Sequence, residues 1–149
     1  MIRPFTLDDL PTMVELGKIM HEESVYRDLD FDAQKLIDLG HHYIANPETC
    51  WSAVAEVDGK IIGMYAGYIT EYYFGKDLIA QDLLLFVDPT KRGGLAAVKL
   101  ITAFEDWAFA KGVKEVCPAS STMVAPERTA MLYNLLGYTN VGSLFKKRR

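Results

Sequence analysis

The chain has 149 residues, half of them apolar, and a formal net charge of −4. That length suits one domain over 1–149 with a real core and is short for two, while the acidic balance lacks the basic footprint of a nucleic-acid binder. No window approaches the ~18 apolar residues of a membrane span, no long apolar stretch opens the chain as a secretory signal, and only two cysteines, Cys50 and Cys117, occur, far apart in sequence and in no ligand-like spacing, which argues against a disulfide framework or a zinc site, so a cytoplasmic protein without metal is expected.

Residues 3–5 are extended, and Thr6 stands as an N-cap with Asp8 and Asp9 in the first turn. Leu10, Met13, Val14, Gly17 and Met20 then recur at helical steps to about His21. After a loop over 24–30, Leu36, Leu39, Gly40, Tyr43 and Ile44 give a second helix, stopped by Pro47. The runs 51–57 and 60–69 read as strands joined by Asp58-Gly59, a pair suited to a type I′ hairpin turn. Gly63 and Gly67 inside the second run mark bulges or the close approach of another backbone.

A third long strand over 79–87 ends at Asp88-Pro89, and a helix follows from about Gly94 to Ala110, capped by Gly112. A short strand at 113–117 stops at Pro118. Residues 119–122 form a polar loop, the last helix starts near Pro126-Glu127 and runs to Gly137, and Tyr138 with Val141 to Phe145 completes a final strand. The order β-α-α-β-β-β-α-β-α-β describes an α/β (α+β) chain with a mixed, mostly antiparallel central sheet and helices on both faces.

The segment around Lys91-Arg92-Gly93-Gly94 carries the most chemistry. A buried strand that ends in a glycine-containing loop at a helix start leaves backbone N–H groups pointing outward, with the positive end of the helix dipole behind them. A phosphate or pyrophosphate fits there, helped by the charges of Lys91 and Arg92 and by the missing side chains of Gly93 and Gly94. Neither GxxxxGK[ST] nor a strand-borne GxGxxG occurs, which removes the usual triphosphate and dinucleotide loops.

What remains resembles the acyl-coenzyme A loop of the GCN5-related N-acetyltransferase (GNAT) family, Val-x-Pro-x-x-Arg-Gly-x-Gly-x-Gly/Ala, on Val87, Pro89, Arg92 and Gly93. Two registers stay open. With Arg92 leading, Leu95 and Ala97 take the later small positions; with Lys91 leading, Gly94 and Ala96 take them. A second likeness lies in Leu132-Tyr133-Asn134-Leu135-Leu136-Gly137-Tyr138, which is similar to the family's Leu-Tyr-x-x-Leu-Gly-Phe segment, although Pro126 replaces an upstream Asn common in members. The likeness runs nearly from end to end.

The resemblance implies acetyl transfer from acetyl-CoA to a primary amine, small-molecule or peptide, by direct attack in a ternary complex, across a splayed parallel strand pair. Residues Phe86 to Asp88 would pair with pantetheine as an added half-strand, and the loop through Ala97 would hold the pyrophosphate. Tyr133 would protonate the departing thiolate, since a phenol of pKa ~10 is a donor at neutral pH. Asp82 would take the proton of the amine if it faces the cleft; facing away, it is a satisfied polar group. Glu22, Glu23 and Glu71 are alternatives, and Glu22 and Glu23 sit where the family shapes its acceptor pocket.

Tyr65, Tyr68, Tyr72 and Tyr73 with Phe74 either line that pocket or serve as core and rim. His41 and His42 are adjacent and diverge on a helix. Cys117 lacks a paired base, so it is a poor acyl carrier. The tail Lys146-Lys147-Arg148-Arg149 reads as a solvated terminus, or as a contact to an acidic partner or a cofactor 3′-phosphate. Two competing functions remain: a non-catalytic acyl-CoA-binding module, and a homodimer pairing through an apolar edge near the C-terminus.

Overall fold

The computed structural model describes residues 1–149. Its strands are β1 (Ile2–Pro4), β2 (Cys50–Val57), β3 (Lys60–Glu71), β4 (Leu78–Val87) and β5 (Glu115–Cys117), and its helices are α1 (Leu10–Glu23), α2 (Ala33–Ala45), α3 (Ala96–Ala110) and α4 (Pro126–Leu135). They form one sheet in the order β1-β2-β3-β4-β5. Neighbours are antiparallel except β4 and β5.

Local chemistry fixes the ends of these elements. Asp9 accepts from the Thr6 amide at 2.8 Å and takes both terminal nitrogens of Arg3 at 2.8 and 2.9 Å, so one carboxylate caps the approach to α1 and ties it to β1. The Arg3 guanidinium holds the Asp9 carboxyl below its usual range. Asp32 caps α2 by accepting from the amides of Gln34 and Lys35, which starts that helix earlier than its apolar stripe suggests. Asp58 and Gly59 turn the β2–β3 hairpin with positive φ, at 50° and 72°.

Alternation then sorts the core onto two faces. Ala53, Ala55, Tyr65 and Ile69 pack against Leu100, Ile101, Phe104 and Ala108 of α3, with Leu132, Tyr133 and Leu136 of α4 on the same side. Val54, Met64 and Phe86 pack against Phe5 and Leu16 on the α1–α2 side.

An irregularity in β4 breaks this alternation where it matters. Ala66 pairs with Leu84 and Gly67 with Asp82, so Leu83 is an extra residue without a partner. It is 45 % exposed. Because of that insertion, Ala80 and Leu85 both face α3 while Leu84 and Phe86 face α1. Gly67 shows the close approach expected of it: a Cβ there would stand 2.4 Å from the Phe104 ring.

The parallel pair is short. Only Ile79, Ala80 and Gln81 pair with Glu115, Val116 and Cys117, and Pro118, which has no amide hydrogen, ends the ladder. From Asp82 onward β4 has no neighbour on that side.

One expected element does not form. No strand occurs after α4; Val141 and Phe145 are 91 % and 89 % exposed. Residues 141–145 meet no sheet edge long enough to pair with, and the basic residues that follow are anchored elsewhere, as described below.

Candidate active site

Where β4 and β5 part, a cleft of about 570 Å³ opens, walled by β4, the loop after it, residues 119–122 and α4. Phe86, Val87, Lys91, Arg92, Gly93, Gly94 and Ala97 line it, as do Asp82 and Tyr133. Two sequence motifs separated by some forty residues therefore meet in one space.

The loop has the donors an anion needs. None of the backbone N–H groups from Gly93 to Val98 finds a backbone acceptor, and α3 has no side-chain cap and no acid in its first turn. Leu95 is the N-cap and Ala96 begins the helix. Gly93 has φ of +93°, a Cβ there would enter open space, and one at Gly94 would meet nothing nearer than Lys91 O at 4.0 Å. The amides therefore present an unobstructed positive end of the helix to the cleft.

Two positions behave otherwise than the sequence suggests. The Asp88 amide donates to Ile62 O at 2.8 Å, so it is already committed to β3 and cannot join Val87 on the open edge. Its carboxylate caps the single helical turn Pro89–Lys91, accepting from Thr90 N and Oγ1 at 2.8 Å. Arg92 points back into the protein. Its Nε donates to Val87 O at 2.9 Å, and its terminal nitrogens grip both carboxylate oxygens of Glu23 while the guanidinium lies 5.5 Å from the Phe86 ring centre. Neutralised in this way, Arg92 joins α1 to β4, and the free side-chain cation at the loop is Lys91.

Asp82 faces the cleft, because Leu83 shifts the register of β4. One carboxylate oxygen accepts from the Ala119 amide at 2.9 Å. Burial nonetheless dominates and pushes the Asp82 carboxyl up to about 6. Opposite it, Tyr133 packs edge-on to Tyr138 with ring centres 5.2 Å apart. Burial first, then the charge of Asp82, hold the Tyr133 phenol above its usual range and therefore protonated. A carboxyl near neutrality and a phenol that keeps its proton thus occupy opposing walls.

Glu23 lines the cleft but is bound to Arg92, whereas Glu22 is exposed and outside it. Tyr72 lies at the β3–β4 hairpin, where it stacks on Phe74 and donates to Glu115, away from the cleft. Its bond to Glu115 and its contact with Phe74 keep Tyr72 outside the residues that line this cleft. Burial pushes the Cys117 thiol up, which suits an inert side chain. No cluster of three or more His, Cys, Asp or Glu could hold a metal. No helix is long and apolar enough to cross a membrane.

Sequence reasoning missed Tyr26, Ser121 and Arg128, which also line the cleft. All three sit in stretches with no motif. Only the meeting of the loop after α1, the loop after β5 and the first turn of α4 makes them neighbours.

Comparison with known proteins agrees with this geometry. The profile of the acetyltransferase (GNAT) family matches residues 13–138. No curated protein matches the chain in sequence. Among solved structures, AAC(6')-Iy in complex with the bisubstrate analog CoA-S-monomethyl-acetylneamine superposes with a TM-score of 0.80 at 20 % identity, over 100 % of this chain and 97 % of that one. A ribosomal-protein-alanine N-acetyltransferase from Brucella melitensis biovar Abortus 2308 gives 0.73 at 17 %, covering 100 % and 99 %. Glucosamine-6-phosphate N-acetyltransferase from Arabidopsis thaliana gives 0.78 at 16 %, covering 99 % and 97 %.

Proposed function

The chain belongs to the acetyltransferase (GNAT) family, and from that premise we propose that it moves an acetyl group from acetyl-CoA to a primary amine by direct attack while both are bound. The observation that carries this reading is the run of unpaired amides from Gly93 to Val98, placed at the mouth of the cleft that also holds Asp82 and Tyr133. The donor substrate supplies an activated thioester; the protein supplies binding and proton traffic.

The amides at the start of α3, with Lys91, hold the pyrophosphate, and the open space over Gly93 and Gly94 lets it reach the main chain. Val87 offers its N–H on the open edge of β4 to pantetheine, its carbonyl being held by Arg92. Asp82, ionised above about pH 6, accepts the proton that an ammonium must lose before its nitrogen attacks. Tyr133 keeps its proton for the departing sulfur. AAC(6')-Iy was solved with a bisubstrate analog that joins CoA to an acetylneamine, which favours an amine-bearing small molecule as acceptor here. The chain is read as one catalytic domain.

Calorimetry with CoA and a thiol-release screen over a panel of amines test the proposal. Asp82→Asn and Tyr133→Phe should each lower kcat at least about tenfold, the usual scale for losing a positioned acid or base, with CoA affinity retained. Turnover unchanged in both variants would reduce the chain to a CoA-binding module. Absence of CoA uptake by folded protein would end the reading altogether.

A further inference from the structure

The basic tail is not free in solvent. Lys146 Nζ donates to the phenol oxygen of Tyr26 and, at 3.1 Å, to the carbonyl of Ser121, and it lies 4.2 Å from the centre of the Tyr26 ring. Arg148 donates to Val25 O and stands 3.7 Å from Asp28. The surface beneath is held together from two sides of the cleft. Val25 N donates to Thr122 O at 3.1 Å, and the Tyr26 hydroxyl donates to Ser121 Oγ at 3.0 Å.

Both Tyr26 and Ser121 line the cleft that contains Asp82 and Tyr133. The segment that carries Tyr26 is acidic, with Glu22, Asp28 and Asp30 against the single cation Arg27, Glu23 being already paired with Arg92. A primary ammonium therefore finds here a π face, a phenol oxygen and a main-chain carbonyl, which together match its three donors and its charge. The ammonium already draws the Tyr26 phenol below its usual range.

Resting on the acetyl-transfer reading above, we infer that Tyr26 and the Ser121 carbonyl form the acceptor's ammonium subsite, and that Lys146 of the same chain fills it as a tethered competitor. The ligand class is an aliphatic primary ammonium on an unbranched methylene stem, whether carried by a polyamine or by a lysine side chain. Such a stem lets the charged head rest on the ring while the tether stays in solvent. An acceptor must displace Lys146 before it can reach Asp82.

The test measures binding of spermidine, of a blocked lysine peptide and of glucosamine, as a ring-borne amine, to the full chain with and without CoA. A tail that occupies the subsite about nine-tenths of the time weakens an incoming amine about tenfold. Lys146→Met should therefore bind spermidine or the lysine peptide about tenfold tighter than the parent, with glucosamine little changed; the tighter of the two names the source. Adding Tyr26→Phe to Lys146→Met should cancel most of that gain while leaving CoA affinity unchanged. Equal amine affinity in parent and Lys146→Met, no binding in any variant, or indifference to Tyr26→Phe would overturn the subsite. Loss of CoA uptake in the same samples speaks against acetyl transfer instead, because the amine arm without CoA judges the subsite independently.

Discussion

Asp82 is the residue at which burial and function pull in opposite directions. Its carboxyl is pushed up to about 6 by the apolar surroundings of β4, against an ordinary value near 3.8. The folded protein therefore binds this proton more tightly than the unfolded chain does. Below about pH 4 both states are protonated and the group is neutral to stability; as pH rises through 6 the folded state must carry a half-buried charge, and stability falls. Asp82→Asn should be the more stable protein at pH 7.5 by about 1–3 kcal/mol, with the difference shrinking towards pH 4, as paired denaturant melts at the two pH values would show. Catalysis runs the other way. A base works when ionised, so kcat/KM should climb with pH through about 6 in the parent and lose that limb in the Asn variant. A parent profile flat between pH 5 and 7 would remove Asp82 from the proton path.

At the scale of elements, the irregularity in β4 makes the site. Were Leu83 an ordinary paired residue, strict alternation would turn Leu85 to the α1 side if Asp82 kept its place, and the face of β4 would not match both cores. The same stretch requires Gly67, because Asp82 pairs with it across the sheet and the Phe104 ring of α3 fills the space a Cβ would occupy. Gly67→Ala forces Phe104 off its packing and should cost about 3 kcal/mol, read as a lower denaturant midpoint with unchanged slope. A midpoint like that of the parent would show that α3 can shift freely on the sheet. Much of this architecture was legible beforehand. The hairpin turn at Asp58-Gly59, the strand-loop-helix at 79–110 and the stop at Pro118 are written in local residue chemistry. The orientation of Asp82 was not legible, because a register shift depends on the partner strand. The diversion of Arg92 to Glu23 was equally hidden, since the two lie 69 positions apart and only the packing of α1 beside β4 brings them together.

Across the whole molecule, cohesion is uneven in a way that bears on the proposed chemistry. The centre of the sheet is held by β2, β3 and β4 and by α3, where Tyr65, Leu100, Ile101 and Phe104 are fully buried. The far wall of the cleft is thin by comparison: β5 pairs with β4 over a single short stretch, and neither β5 nor α4 contains a fully buried residue. The missing strand at 141–145 leaves that wall without a further neighbour, so it belongs to the low-stability end of the molecule, where local opening is easiest. A ligand that bridges the two walls must stabilise the weaker one most. CoA at about 100 times its Kd adds about 2.7 kcal/mol to the bound state, and hydrogen exchange should register that gain chiefly in residues 93–98, 115–121 and 126–136, with β2 and β3 little changed. Equal added protection everywhere would mean that the walls already open as one unit with the core. Added protection in α1 and α2 alone would place the ligand on the opposite face of the sheet and detach the unpaired amides of α3 from its binding.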